Sequence, residues 1–139
     1  MGTRSTIAVQ HEDGSVSQIY CHWDGYISHN GMILKTHYTT RGSAEALVKP
    51  GDMSSLRDFI HPDADKPHTF DSPQDNVCVY YGRDRGETRV EPKRFDSVEA
   101  YKLSVQTEEY DYLFSDGEWT VRRGSGKVWN EFDVVKEAA

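Results

Sequence analysis

Cysteine is scarce in this chain. Only Cys21 and Cys78 occur in 139 residues, and no CxxC pair is present. That rules against a disulfide scaffold and leaves no spacing suited to a structural zinc site. Both thiols fall in strand-like runs. Two reduced, buried cysteines are expected, with a disulfide between neighbouring strands as the alternative. Long apolar runs are missing too. None approaches the roughly 20 residues that span a bilayer, and residues 1–6 hold no apolar signal core. The expectation is a cytoplasmic protein without membrane association. Positive charge is in deficit, with 16 Lys and Arg against 23 Asp and Glu and a net charge of -7. A direct nucleic-acid binder needs a cationic field, so none is expected here. An acidic protein suits the opposite role, docking on the basic, nucleic-acid-binding surface of another protein. The plainer use of the same charge is solubility.

What is present is enough for a core. The hydrophobic fraction is a low 36%, but eight Tyr, five Phe and three Trp supply large buried surfaces. A length of 139 residues suits a single domain over 1–139 that needs no covalent staples.

The densest chemistry lies in Ile19, Tyr20, Cys21, His22, Trp23, Asp24, Gly25 and Tyr26, where a strand-like run gives way to a helix-like one. Residues 5–10 and 16–23 flank an Asp13-Gly14 turn signal and read as an antiparallel hairpin. Alternation puts Ile19, Cys21 and Trp23 toward the core, and Val16, Gln18, Tyr20 and His22 on the opposite face. A helix is expected over 32–38, capped by Ser28 or Asn30, with Leu34 and Tyr38 on one face. A second over 43–48 has Ser43 as N-cap, and a third helical turn falls at 54–60. Residues 61–76, punctuated by Pro62, Pro67 and Pro73, read as a long surface loop. Residues 76–81 read as a central strand, 82–87 as a charged turn and 88–91 as a brief pairing segment. A short helix or turn begins at Ser97. Residues 110–114 and 119–123 form a second hairpin around Asp116-Gly117. Trp129, Phe132, Val134 and Val135 suggest an amphipathic C-terminal helix. Together these predict an α+β fold: an antiparallel sheet of about four to six strands with short helices packed on one face.

With Thr3-Arg4-Ser5-Thr6-Ile7-Ala8, residues 19–26 and Gly51-Asp52-Met53-Ser54-Ser55-Leu56 in view, the chain resembles a family of small proteins encoded by bacteriophages and mobile elements. The likeness covers roughly the first sixty residues, and Tyr81-Gly82-Arg83-Asp84-Arg85-Gly86-Glu87 extends it. The resemblance brings no activity with it. It implies a setting: an accessory phage protein that binds and disables a host component, including an anti-phage defence component, in the host cytoplasm.

Four constellations carry candidate chemistry. Cys21 beside His22 suggests a nucleophile and its base, but adjacent strand residues point to opposite faces. His22, His29 and His37 with Asp24 would form a metal site, or a metal-assisted hydrolase, only if they converged. Their spacing matches no compact ligand motif, so no metal and no cofactor is expected. Arg83 and Arg85, flanking Asp84 near Tyr80 and Tyr81, suit a bidentate clamp on a small anion. With His22, Trp23, Asp24 and Tyr26 they make up the expected ligand-binding set for a nucleotide or another anion. Asp63, Asp65, Asp71 and Asp75 give the long loop an acidic face suited to a basic protein partner. An exposed hairpin edge would also admit a homodimer. The expected function is non-enzymatic binding of a host protein, with ligand sequestration as the alternative.

Overall fold

The computed structural model describes residues 3–104, 108–123 and 133–134. In chain order the elements are β1 (Ser5–Gln10), β2 (Val16–Cys21), a π-helical turn (Ile27–Gly31), α1 (Met32–His37), α2 (Arg41–Val48), β3 (Met53–Ser55), β4 (Val79–Tyr80), α3 (Tyr81–Arg85), β5 (Lys93–Phe95), α4 (Val98–Lys102), β6 (Tyr110–Ser115), β7 (Glu118–Arg123) and β8 (Asp133–Val134). The strands form one sheet in the order β4-β3-β2-β1-β6-β7-β8, with β5 beside the first half of β2. The fold is α+β. Most neighbours are antiparallel, but β1 pairs with β6, and β2 with β3, in parallel. The four longest strands are the two expected hairpins. Strands of two or three residues raise the total above six. Among the described residues no helix is long and apolar enough to cross a membrane.

Local chemistry builds the hairpins. Between β1 and β2, Asp13 Oδ1 accepts from both the amide (2.9 Å) and the hydroxyl (2.6 Å) of Ser15. Those two bonds hold the Asp13 carboxyl down at about 2, with Arg94 adding to them. Between β6 and β7 the register joins Ser115 to Glu118, so the loop is two residues. Asp116 (φ 54) and Gly117 (φ 82) both take the left-handed region, which a tight hairpin turn of this length requires. The N-cap of α2 is Thr40 rather than Ser43. Thr40 Oγ1 accepts from the Ser43 amide (3.1 Å), and Ser43 Oγ accepts from the Thr40 amide (3.1 Å), a reciprocal capping box. Ser97 caps α4 by accepting from the Ala100 amide (3.0 Å).

Both faces of the sheet centre are covered. On one face Ile7, Val9, Ile19, Cys21, Tyr112, Phe114, Trp119 and Val121 pack against Leu34, Tyr38, Ala44, Leu47 and Val48 of α1 and α2 and the residue after α1. On the other, Ala8, Val16 and Leu113 pack against Tyr101 of α4, with Phe95 and Val98 at the margin. The fourth helix thus extends the expected one-sided helical layer to the second face. This explains why Val16 and Gln18, assigned by alternation to the face away from the core, are buried as well.

Several local expectations give way to tertiary pairing. Residues 54–60 are not helical: Met53–Ser55 forms β3, Leu56 is buried in the core, and Phe59 stays exposed. The expected central strand at 76–81 shrinks to β4 at an edge. Its apolarity reflects burial of Cys78 and Tyr80 under α1 and α2, where the Tyr80 hydroxyl donates to Leu47 O at 2.5 Å. The charged turn is a helix, α3, ended by Gly86 at φ 74. Pairing after it occurs at Lys93–Phe95, beyond Pro92, rather than at 88–91. No side chain caps α1: it continues directly from the π-helical turn, so the roles assigned to Ser28 and Asn30 are not used. Of the expected C-terminal helix, Asp133–Val134 pairs as a strand with β7, and Trp129, Phe132 and Val135 lie outside the described residues.

Candidate functional site

The turn after β2 is built from beneath. The Trp23 amide donates to Ser54 O (3.0 Å) and the Gly25 amide to Thr3 O (2.7 Å). Buried Tyr112 donates its hydroxyl to Gly25 O at 2.6 Å. Glycine is needed at 25 because a Cβ there would lie 2.7 Å from Ser5 Cβ and 2.9 Å from Thr3 O. Asp24 takes a left-handed backbone (φ 57), so the chain reverses in one step. That reversal corrects the alternation reading of Trp23. Ile19 and Cys21 face the core, but Trp23 stands outside it at 42% exposure, and Tyr26 follows at 38%. Asp24 Oδ1 accepts from the Tyr26 hydroxyl at 3.4 Å.

Asn30, expected only as a helix cap, and Arg57, expected only as a helical position, tie this turn to the neighbouring segment. Asn30 is fully buried. Its Nδ2 donates to Ser5 Oγ (3.3 Å), Trp23 O (3.3 Å) and Cys21 Sγ (3.5 Å). Its Oδ1 therefore faces His29 Nδ1 at 2.8 Å, so Nδ1 carries the proton. Nε2 of neutral His29 is then an acceptor, 3.5 Å from Arg57 Nη1. The Arg57 backbone is anchored in the core: its amide donates to Cys78 Sγ (3.3 Å), and its carbonyl accepts from the Tyr38 hydroxyl (2.8 Å). Nη1 also donates to Leu56 O at 2.9 Å. The available signal for Asn30 was its place as a polar residue between Gly25 and Gly31. Arg57 was obscured by the helical reading of its segment.

Arg83 and Arg85 sit in α3, apart from that relay. Arg83 donates through Nε to Asp84 Oδ1 (2.8 Å), through Nη1 to Ile60 O (2.5 Å) and through Nη2 to Cys78 O (2.7 Å) and Asp84 Oδ2 (3.0 Å). Its fork is already bonded on both edges, and it fastens both ends of the 61–76 loop. Arg85 pairs with Glu87 and lies over the rings of Phe70 (4.3 Å) and Tyr81 (5.1 Å). Burial would raise Asp84, but hydrogen bonds from Arg83 and the Tyr80 amide outweigh it and hold the carboxyl below its usual value.

The long loop is exposed yet internally bonded. Gln74 Nε2 donates to Asp63 O (3.0 Å) and Lys66 O (3.0 Å), while its Oε1 accepts from the Asp63 amide (2.8 Å). The Gln74 amide donates to His68 Nδ1 (3.0 Å), which puts the proton of neutral His68 on Nε2, 3.3 Å from Asp84 Oδ2. Both of those side chains are 4% exposed. Asp63, Asp65, Asp71 and Asp75 all lie on the outside of this loop.

The remaining candidates separate. Cys21 is sealed in the core, and burial pushes its thiol up to about 12. His22 points the other way and bonds the Tyr20 hydroxyl through Nδ1 (2.7 Å). Cys21 and Cys78 are free thiols, both buried, and burial raises Cys78 as well. His37 Nε2 faces Asp58 at 3.4 Å, so His22, His29 and His37 each have a separate neighbour. Among the described residues, no three His, Cys, Asp or Glu side chains gather as a metal ion would require. Comparison with protein-family models, with curated proteins and with solved structures returns no match.

Proposed function

We propose that this chain is a non-enzymatic binding protein that presents its 61–76 loop to a basic surface on a partner protein. The observation that carries the reading is the fastening of that loop. Arg83 holds Ile60 O and Cys78 O at its two ends, and Gln74 and His68 bond it across the middle. The aspartates are left outside. An ordered loop loses less conformational freedom on association than a loose one, so its charge is presented at low entropic cost. The net charge of -7 adds a long-range attraction for a cationic partner. The setting drawn from the resemblance, a phage accessory protein disabling a host defence component in the host cytoplasm, is the biological form of this proposal.

The test is affinity capture from bacterial lysate, quantified by mass spectrometry. The wild type is compared with a variant carrying Asp65→Lys, Asp71→Lys and Asp75→Lys, which leaves Arg83, His68 and Gln74 in place. A basic protein retained by the wild type and lost by the variant is the expected result. An unchanged set of captured proteins would overturn the acidic-docking reading.

A further inference from the structure

Trp23, Tyr26 and Arg57 come from segments more than thirty residues apart, yet one polar relay joins them. Trp23 O is bonded by Asn30, Asn30 by His29, and His29 by Arg57. The Tyr26 ring packs edge-on to the His29 ring, with centroids 6.0 Å apart. The two exposed aromatics and the guanidinium are therefore joined through one chain of bonded and ring-packed residues. Sequence reasoning paired Trp23 and Tyr26 with Arg83 and Arg85, but those arginines are engaged around the acidic loop. Arg57 is the cation that the fold supplies to the aromatic turn.

The chemistry at this surface is specific. Trp23 and Tyr26 are exposed, although the alternation of β2 would have buried Trp23. Among the described residues, Arg57 makes side-chain bonds only through Nη1, to Leu56 O and His29 Nε2. Its Nε and Nη2 remain as a donor edge of the kind that takes two oxygens of a phosphate. Exposed aromatics linked through His29 to such an edge suit a ligand that joins a planar heterocycle to one phosphate.

We propose that Trp23, Tyr26 and Arg57 form a binding site for a free mononucleotide, with the base on the aromatic turn and the phosphate on Arg57. This is independent of partner binding through the 61–76 loop. The same chemistry is offered by a nucleotide within single-stranded nucleic acid. A chain of net charge -7 repels a polyanion far more than a monophosphate, which favours the free nucleotide.

The test is calorimetric titration of the full chain with the four ribonucleoside 5′-monophosphates. Ribose 5-phosphate, the free nucleosides and a short single-stranded oligonucleotide serve as comparison ligands. Saturable binding of at least one monophosphate is expected, about tenfold or more tighter than either of its halves. Trp23→Ala and Arg57→Gln should each weaken it about tenfold or more, while Arg85→Gln leaves it unchanged. If Arg57→Gln fails to fold, Arg57→Lys keeps the stem and charge but loses the fork, and should still weaken binding. No binding by any monophosphate would overturn the proposal, as would affinities unmoved by the Trp23 and Arg57 substitutions. An oligonucleotide binding more tightly than every monophosphate would overturn the free-nucleotide assignment in favour of single-stranded nucleic acid.

Discussion

Thr6 Oγ1 donates a 2.6 Å hydrogen bond to Asp111 Oδ1, 105 positions further along the chain, across the parallel pairing of β1 and β6. The same oxygen accepts from the Glu108 amide at 3.2 Å. Asp111 Oδ2 lies 3.9 Å from Arg122 Nε on β7, and Arg122 Nη1 in turn donates to Lys102 O at the end of α4 (2.9 Å). A buried carboxylate thus sits where the central strands, β7 and the fourth helix meet.

Burial dominates at Asp111 and pushes its carboxyl up to about 6, despite the opposing bonds from Thr6 and Glu108 and the charge of Arg122. A folded-state value above the unfolded value of 3.8 means that the folded protein holds this proton more tightly. The contribution is fully present below about pH 4 and is lost as pH rises toward 6, amounting to about 3 kcal/mol at most. Urea unfolding of the wild type and of Asp111→Asn should therefore give a stability difference that shifts against the wild type between those pH values. Parallel stability curves across that window would show that Asp111 is not the group responsible.

Arg83 is expected to act on the loop rather than on a ligand. Arg83→Ala removes donors to Ile60 O and Cys78 O and leaves the Asp84 carboxylate without its main partner. A cost of about 2 kcal/mol follows from breaking charge-assisted bonds at a largely buried acid. Hydrogen exchange should show faster exchange across 61–76 while β1 and β6 keep their protection. Asp84 has a lowered carboxyl, so the stability it lends is present above the unfolded value and is lost as pH falls through its folded value. Equal protection of the loop in variant and wild type would refute the fastening role.

Gly25→Ala should damage the aromatic turn without touching an exposed side chain. The added methyl would meet Ser5 Cβ at 2.7 Å and the Thr3 carbonyl at 2.9 Å, both belonging to or abutting the rigid first strand. Overpacking against backbone costs about 1–3 kcal/mol. Thermal unfolding should report that loss. Ser28→Ala, an exposed neighbour whose expected capping role is unused, should be near neutral. A Gly25→Ala protein as stable as the wild type would show that the turn yields easily.

The two hairpins were readable because their signals are local. Asp13-Gly14 and Asp116-Gly117 sit between alternating runs, and a turn of this kind depends on residues a few positions apart. At Ser97 the local signal left helix or turn open, and the structure shows α4 with Ser97 as its N-cap. At α2 the helix was legible and its boundary was not: Thr40 and Ser43 both satisfy capping chemistry, and only the backbone decides which is outside the helix. For the candidate site, the aromatic turn was visible as a cluster, while the cation proposed for it was not. Arg83 and Arg85 stood out as a charged motif, yet their donors are engaged by Ile60 O, Cys78 O, Asp84 and Glu87. Arg57 looked like one polar position on a helix because nothing near it in sequence announces His29.

The amino-acid sequence by itself determined the α+β class, the hairpins, the acidic surplus and the burial of both cysteines, since each follows from composition, turn chemistry or alternation within a short window. Tertiary structure alone decided the parallel partnership of β1 with β6, the edge position of β4, the outward turn of Trp23 and the relay from Asn30 through His29 to Arg57. Those features join residues far apart in the chain. Their geometry is set by which buried polar groups find partners once the sheet has closed, and no local pattern encodes that choice.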